Sequence, residues 1–140
     1  MATLNLAGSA AIQWDAMDTL GVIKNRIDFS KNNAAASDVV QVLNIPAGVG
    51  VLNVFVKVVT PVGATCTATV GDGAGAASWD ASTNLNAAAG TITQGVVGTD
   101  AYCVANLGKL YTSADTIDLV MGNAATAGVC DVYALCYQLK

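Results

Sequence analysis

The chain has 140 residues, of which 54% are hydrophobic and only 11% charged, and its net charge is −4. All ten acids are Asp, with no Glu and no His; this excludes a Ser-His-Asp or Cys-His nucleophile and any His-ligated metal centre. Six scattered cations make no basic patch for nucleic acid. A surface so poor in charge suits a structural or assembly protein covered by a partner better than an enzyme.

The length fits one ordinary domain. Residues 1–19 have weak periodicity, and Trp14 and Met17 stand in them as isolated large apolar side chains. They read as an N-terminal arm with a short turn or helical piece, and Trp14 and Met17 are its candidate partner contacts. The segment lacks the basic and continuous apolar regions of a signal peptide. No 18-residue apolar run occurs, so no membrane span and no membrane partner are expected. Synthesis in a cytoplasm follows as the expectation.

From residue 20 to 140 the signals are those of strands in a single β-domain. Leu20–Phe29 alternates, with Val22, Lys24, Arg26 and Asp28 on one parity and Ile23, Ile27 and Phe29 on the other. Ser30–Ser37 is a polar loop and Asp38–Ile45 a strand, closed by a type I turn over Ile45-Pro46-Ala47-Gly48. Val51–Thr60 is the strongest strand, with Leu52, Val54, Val56 and Val58 predicted to share a face. Thr65–Val70 places Cys66, Ala68 and Val70 inward and its threonines outward.

Gly71-Asp72-Gly73 reads as a tight turn. Ala74–Gly90 reads as a long connection anchored by Trp79 and Leu85. Short strands are predicted at Thr91–Val97, Tyr102–Leu107 and Lys109–Tyr111. Asp115–Met121 alternates with Ile117, Leu119 and Met121 inward, and Gly128–Leu139 is the last strand. The fold class is all-β: an antiparallel, jelly-roll-like β-sandwich of about eight strands with an N-terminal arm.

The chemistry-bearing residues are few. Asp72 and Asp80 flank a glycine-rich loop, but their spacing is not that of a calcium loop and no Glu supplies a bidentate ligand. An Asp-Gly turn explains Asp72 as well, and whether it binds a cation stays open. Asp115 and Asp118 fall on opposite strand faces, Asp118 toward solvent. Lys109 and Tyr111 share a face without a nucleotide fold around them. Trp79, followed by Asp80, is the candidate partner contact of the long connection; a plug at the end of the sandwich is the alternative. Cys66, Cys103, Cys130 and Cys136 form no C-x-x-C pair, so zinc and redox motifs are unsupported. Buried free thiols are expected, with a Cys66–Cys130 or Cys103–Cys136 bridge left open. No cofactor and no metal are expected, and the chain is expected not to be an enzyme.

Several stretches carry a resemblance: RIDFSKNN (26–33), SDVVQVLNIPAGVGV (37–51), VGDG (70–73), WDASTNLNAAAGT (79–91), GTDAY (98–102) and GKLYTSADTIDLVM (108–121). In their order the chain resembles small virion structural proteins of tailed bacteriophages, of the capsid decoration or cement type. The resemblance implies a β-sandwich added to the outside of a capsid, with no catalytic residues. Its implied partners are a major capsid protein and further copies of the chain, as a homotrimer, and its implied location is the virion. A tail, connector or fibre-associated role is the alternative within the virion. A carbohydrate-binding sandwich using Trp79, Tyr102 and Tyr111 as stacking platforms is the alternative outside it.

Overall fold

The computed structural model describes residues 1–8, 19–63, 65–95, 100–103 and 108–138. Its strands in chain order are β1 (Thr3–Gly8), β2 (Thr19–Asp28), β3 (Val39–Ile45), β4 (Val49–Thr60) and β5 (Thr67–Asp72). They continue as β6 (Gly75–Asn84), β7 (Ile92–Gln94), β8 (Lys109–Tyr111), β9 (Asp115–Met121) and β10 (Val129–Gln138).

Two sheets result. Sheet I has the order β1-β3-β9-β5-β6, and sheet II the order β2-β10-β4-β7 with β8 also paired to β4. All pairings are antiparallel except β1 with β3, which is parallel. The all-β class is therefore as expected, with one parallel pair in an otherwise antiparallel sandwich.

Alternation decides which side chains enter the core. From sheet I come Val40, Leu43, Ile45, Ala68, Val70, Ile117, Leu119 and Met121. From sheet II come Ile23, Ile27, Val54, Val56, Val132 and Ala134, with Cys130 and Cys136. Most of these are Val, Ile and other residues that fit a pleated, half-buried surface. All four cysteines are free and buried. Burial pushes the thiols of Cys130 and Cys136 up to about 12, so they act as small apolar side chains.

Three departures from the sequence reading have physical causes. Part of the expected arm is a strand: Thr3, Leu4 and Asn5 pair with Val39, Val40 and Gln41, and Leu4 and Leu6 pack against the core. The Asp38 carboxylate helps to hold it there, accepting from Ala2 N at 2.8 Å. The predicted long connection contains β6, whose pairing with β5 slips twice between Ala68 and Asp72. Finally, β4 changes inward parity at Leu52, because the ladder skips from Leu135↔Asn53 to Cys136↔Val51. Val49 and Val51 are therefore buried while Leu52 is not, as a β-bulge requires.

Candidate functional site

Two regions depart from a plain apolar sandwich. One is a polar cluster inside the end of the molecule, and the other is the outer face of sheet II.

The interior cluster is built by strand parity. Asp72 continues the inward series Ala68, Val70 on β5 and reaches the end of sheet I. Lys109 and Tyr111 point inward from β8 opposite it. Gly108 makes that entry possible: its φ is +65°, and a Cβ there would run into the Val51 backbone. The Asp72 side chain is fully buried and all its acceptor capacity is used. Oδ2 accepts from Lys109 Nζ at 2.7 Å and from the Tyr111 hydroxyl at 2.7 Å. Oδ1 accepts from the Tyr102 hydroxyl at 3.1 Å and from Ala74 N and Gly75 N at 3.0 and 3.2 Å.

The donors are themselves tied together. Lys109 Nζ also donates to the Tyr102 hydroxyl at 2.9 Å and sits over the rings of Tyr102 and Tyr111. Trp79 Nε1 donates to the Tyr111 hydroxyl at 3.1 Å, and its ring meets Tyr102 edge-on. Burial pushes the Asp72 carboxyl up, but the hydrogen bonds from Lys109, Tyr111 and Ala74 outweigh it and leave it below the ordinary value. Burial likewise opposes the charge on Lys109, and its bonds to Asp72 and Tyr102 win. The result is an ion pair joining the two sheets, with each polar atom matched. It leaves Asp72 no lone pair for a cation, and no cluster of three or more metal-ligating residues occurs among the described residues.

The second region has the opposite character. Apart from Met1, the exposed large hydrophobics of the described residues are Leu20 (67%), Val22 (61%), Ile92 (61%) and Leu110 (55%). All four project from the outer face of sheet II. The register shows it: Leu20 pairs with Tyr137, Tyr137 with Gly50, and Gly50 with Leu110. The next rows are Val22–Leu135–Asn53, then Lys24–Tyr133–Phe55, then Arg26–Asp131–Lys57–Ile92. Val22, Phe55, Lys57, Ile92, Tyr133 and Leu135 line a shallow groove of about 310 Å³ on this face. Fully burying such a side chain stabilises by about 1.5–3 kcal/mol, and here that gain is not yet realised.

The charges of this face are arranged around one carboxylate. Asp131 is only 2% exposed and is gripped by Arg26 Nε at 2.7 Å and Lys24 Nζ at 2.9 Å. The bonds from Arg26, then Lys24, overcome burial and bring its carboxyl down to about 2. The negative charge therefore lies under the cations, and solvent meets Lys24, Arg26 and, beyond them, Lys57.

Of the four contact residues expected from sequence, the structure places two, Trp79 and Asp80, and both are buried. Trp14 and Met17 lie outside the described residues. Trp79 is fully buried and Asp80 nearly so; Asp80 accepts from Ser82 N at 2.9 Å and the Thr83 hydroxyl at 2.6 Å. Trp79 closes the end of the sandwich, and its ring is packed against Tyr102 rather than offered to solvent. Asp118, expected to face solvent, is 6% exposed. It pairs with Gly71, whose outer side is covered by the Gly75–Ala76 backbone. Burial raises its carboxyl to about 6, against a hydrogen bond from the Thr116 hydroxyl.

No family model and no curated protein matches the chain. Solved structures share its fold. A chain in the capsid of Ralstonia phage GP4 superposes with a TM-score of 0.65 at 12% identity, covering 99% of this chain and 98% of that one. A chain in the capsid asymmetric unit of cyanophage Pam1 gives 0.62 at 19% identity, covering 96% and 95%. A chain in the acid-stable capsid of Helicobacter pylori bacteriophage KHP30 gives 0.59 at 18% identity, covering 88% and 94%. The likeness is one of fold, and it runs nearly end to end in both partners.

Proposed function

We propose that this chain is a non-enzymatic virion structural protein that binds the outside of a phage capsid as a decoration or cement protein and stabilises the shell. The supporting observation is the end-to-end likeness to chains from the capsids of three different phages. Coverage is nearly complete on both sides, so the matched chains are of similar length. The fold reading goes with it: the chain builds two facing four-strand orders, β2-β10-β4-β7 and β3-β9-β5-β6, an arrangement that supports a jelly-roll description with β1 added at one edge.

The work proposed is mechanical. A sandwich bridging neighbouring shell subunits resists their separation, and copies joined as a homotrimer engage several sites at once, which multiplies weak contacts. A surface with few Lys and no Glu loses little side-chain entropy when covered. The partners are then the major capsid protein and the chain itself. Antibody-gold labelling of purified particles tests the proposal by electron microscopy. Many labels spread over the head are expected. Label confined to the tail or to one vertex, or no label on intact particles, would overturn it.

A further inference from the structure

We propose that the chain docks through the outer face of sheet II, and that the surface it meets there is an acidic, apolar patch of a shell protein. This rests on the capsid reading above and gives that reading its contact face. Three observations carry it. The exposed large hydrophobics Leu20, Val22, Ile92 and Leu110 converge on this one face. Single exposed apolar residues are ordinary, but their convergence on one flat sheet around a groove is the mark of an interaction surface. Phe55 and Tyr133, both half-buried, are cross-strand neighbours lining its groove, and central aromatic anchors contribute most to binding.

The third observation is charge. Three of the chain's six cations, Lys24, Arg26 and Lys57, occupy adjacent rows of this face. Their one central carboxylate, Asp131, is buried beneath two of them. Asp28, at the far end of β2, is engaged by Lys31 at 3.4 Å. The face is thus positive on a chain whose net charge is −4. Pairing it with itself across a two-fold axis would bring two net-positive faces together. An isologous dimer is therefore disfavoured here, and a carboxylate-bearing partner is favoured. The apolar rows supply contact area, while the cations supply orientation and a faster, salt-sensitive encounter.

The experiment is co-sedimentation of the full chain with shells of its phage assembled without it, at graded sodium chloride. Wild-type chain is expected to pellet with the shells, less so as salt rises. Val22→Asp and Ile92→Asp each put a carboxylate on the face and are expected to weaken binding at least tenfold. Lys57→Gln is expected to weaken it several-fold and to flatten the salt dependence. Thr126→Asp, in the exposed loop between β9 and β10, is expected to bind like wild type. Thermal unfolding of each variant within a few degrees of wild type shows that the fold is kept. Wild-type binding with all three face variants binding equally well would overturn the docking face and leave the capsid reading intact. Failure of wild type to bind any shell would overturn the capsid reading itself. Loss of self-association in the face variants, read by sedimentation velocity, would show that a second copy occupies the face and would overturn the proposed partner.

Discussion

The polar cluster inside the sandwich end and the outer face of sheet II both gather residues from several strands, yet they are built in opposite ways. Around Asp72 each donor has an acceptor, the carboxylate is fully buried, and two sheets are joined. On the outer face of sheet II, large apolar side chains remain exposed, and the buried Asp131 carboxylate is covered by cations facing outward. The first arrangement is complete within one chain. In the proposed docking, the second is completed by another surface. The contrast separates residues that hold this protein together from residues proposed to connect it to a partner. Substitutions in the first region are expected to cost stability, and those in the second to cost assembly.

The largest stability effect is expected from Lys109→Met. It strands the buried Asp72 carboxylate and should destabilise by about 3 kcal/mol or more, the usual cost of breaking a buried pair. Adding Asp72→Asn to that variant should return part of the loss, measured by urea unfolding as a double-mutant cycle. Tyr111→Phe removes a donor to Asp72 and the acceptor of Trp79 Nε1, and should cost about 2 kcal/mol. Equal stability of wild type and Lys109→Met would break the comparison at its root.

Asp118 gives a stability effect whose size depends on pH. Its folded-state carboxyl is raised to about 6, against about 3.9 in an unfolded chain. The folded chain therefore holds this proton more tightly, and its contribution to stability is present below pH 4 and lost as pH rises through 6. Asp118→Asn is expected to raise the melting temperature at pH 8 and to leave it unchanged at pH 4. Asp131 has the opposite sign. Its carboxyl is held down to about 2, so its contribution is present above pH 4 and lost as pH falls toward 2. Asp131→Asn should narrow the stability difference between pH 7 and pH 2. The smallest effect belongs to the outer face: Leu110→Ser should change stability by no more than about 0.5 kcal/mol, because the side chain is already in water.

Much of the fold was legible because alternation is a direct record of burial. β2, β3, β5, β9 and β10 could be read from their apolar parity. β6 could not, because GAASWDASTN is small, polar and low in strand preference; pairing with β5 makes it a strand. In β4 both parities are apolar, and a bulge at Leu52 exchanges them, so the inner face could not be assigned from periodicity alone.

The sites were harder. Asp72 between two glycines resembles a turn residue, although its parity with Val70 already placed it inward. Lys109 and Tyr111 sharing a face was visible, but not that the chain brings Asp72 opposite them. The outer face of sheet II was legible only as four separate parities. Register, which assembles Leu20, Val22, Phe55, Ile92 and Leu110 into one surface, depends on strand order across 90 residues and has no local signal.

The proposed docking sets a phage shell against the outer face of sheet II. The most direct measurement is a cryo-electron microscopy reconstruction of the particle, with the sandwich fitted into density on the head. The account predicts that Val22, Phe55, Ile92 and Tyr133 lie against the shell, with Lys24, Arg26 and Lys57 close to its carboxylates. Density in which this face is turned to solvent, with the shell contacted by sheet I, would contradict it.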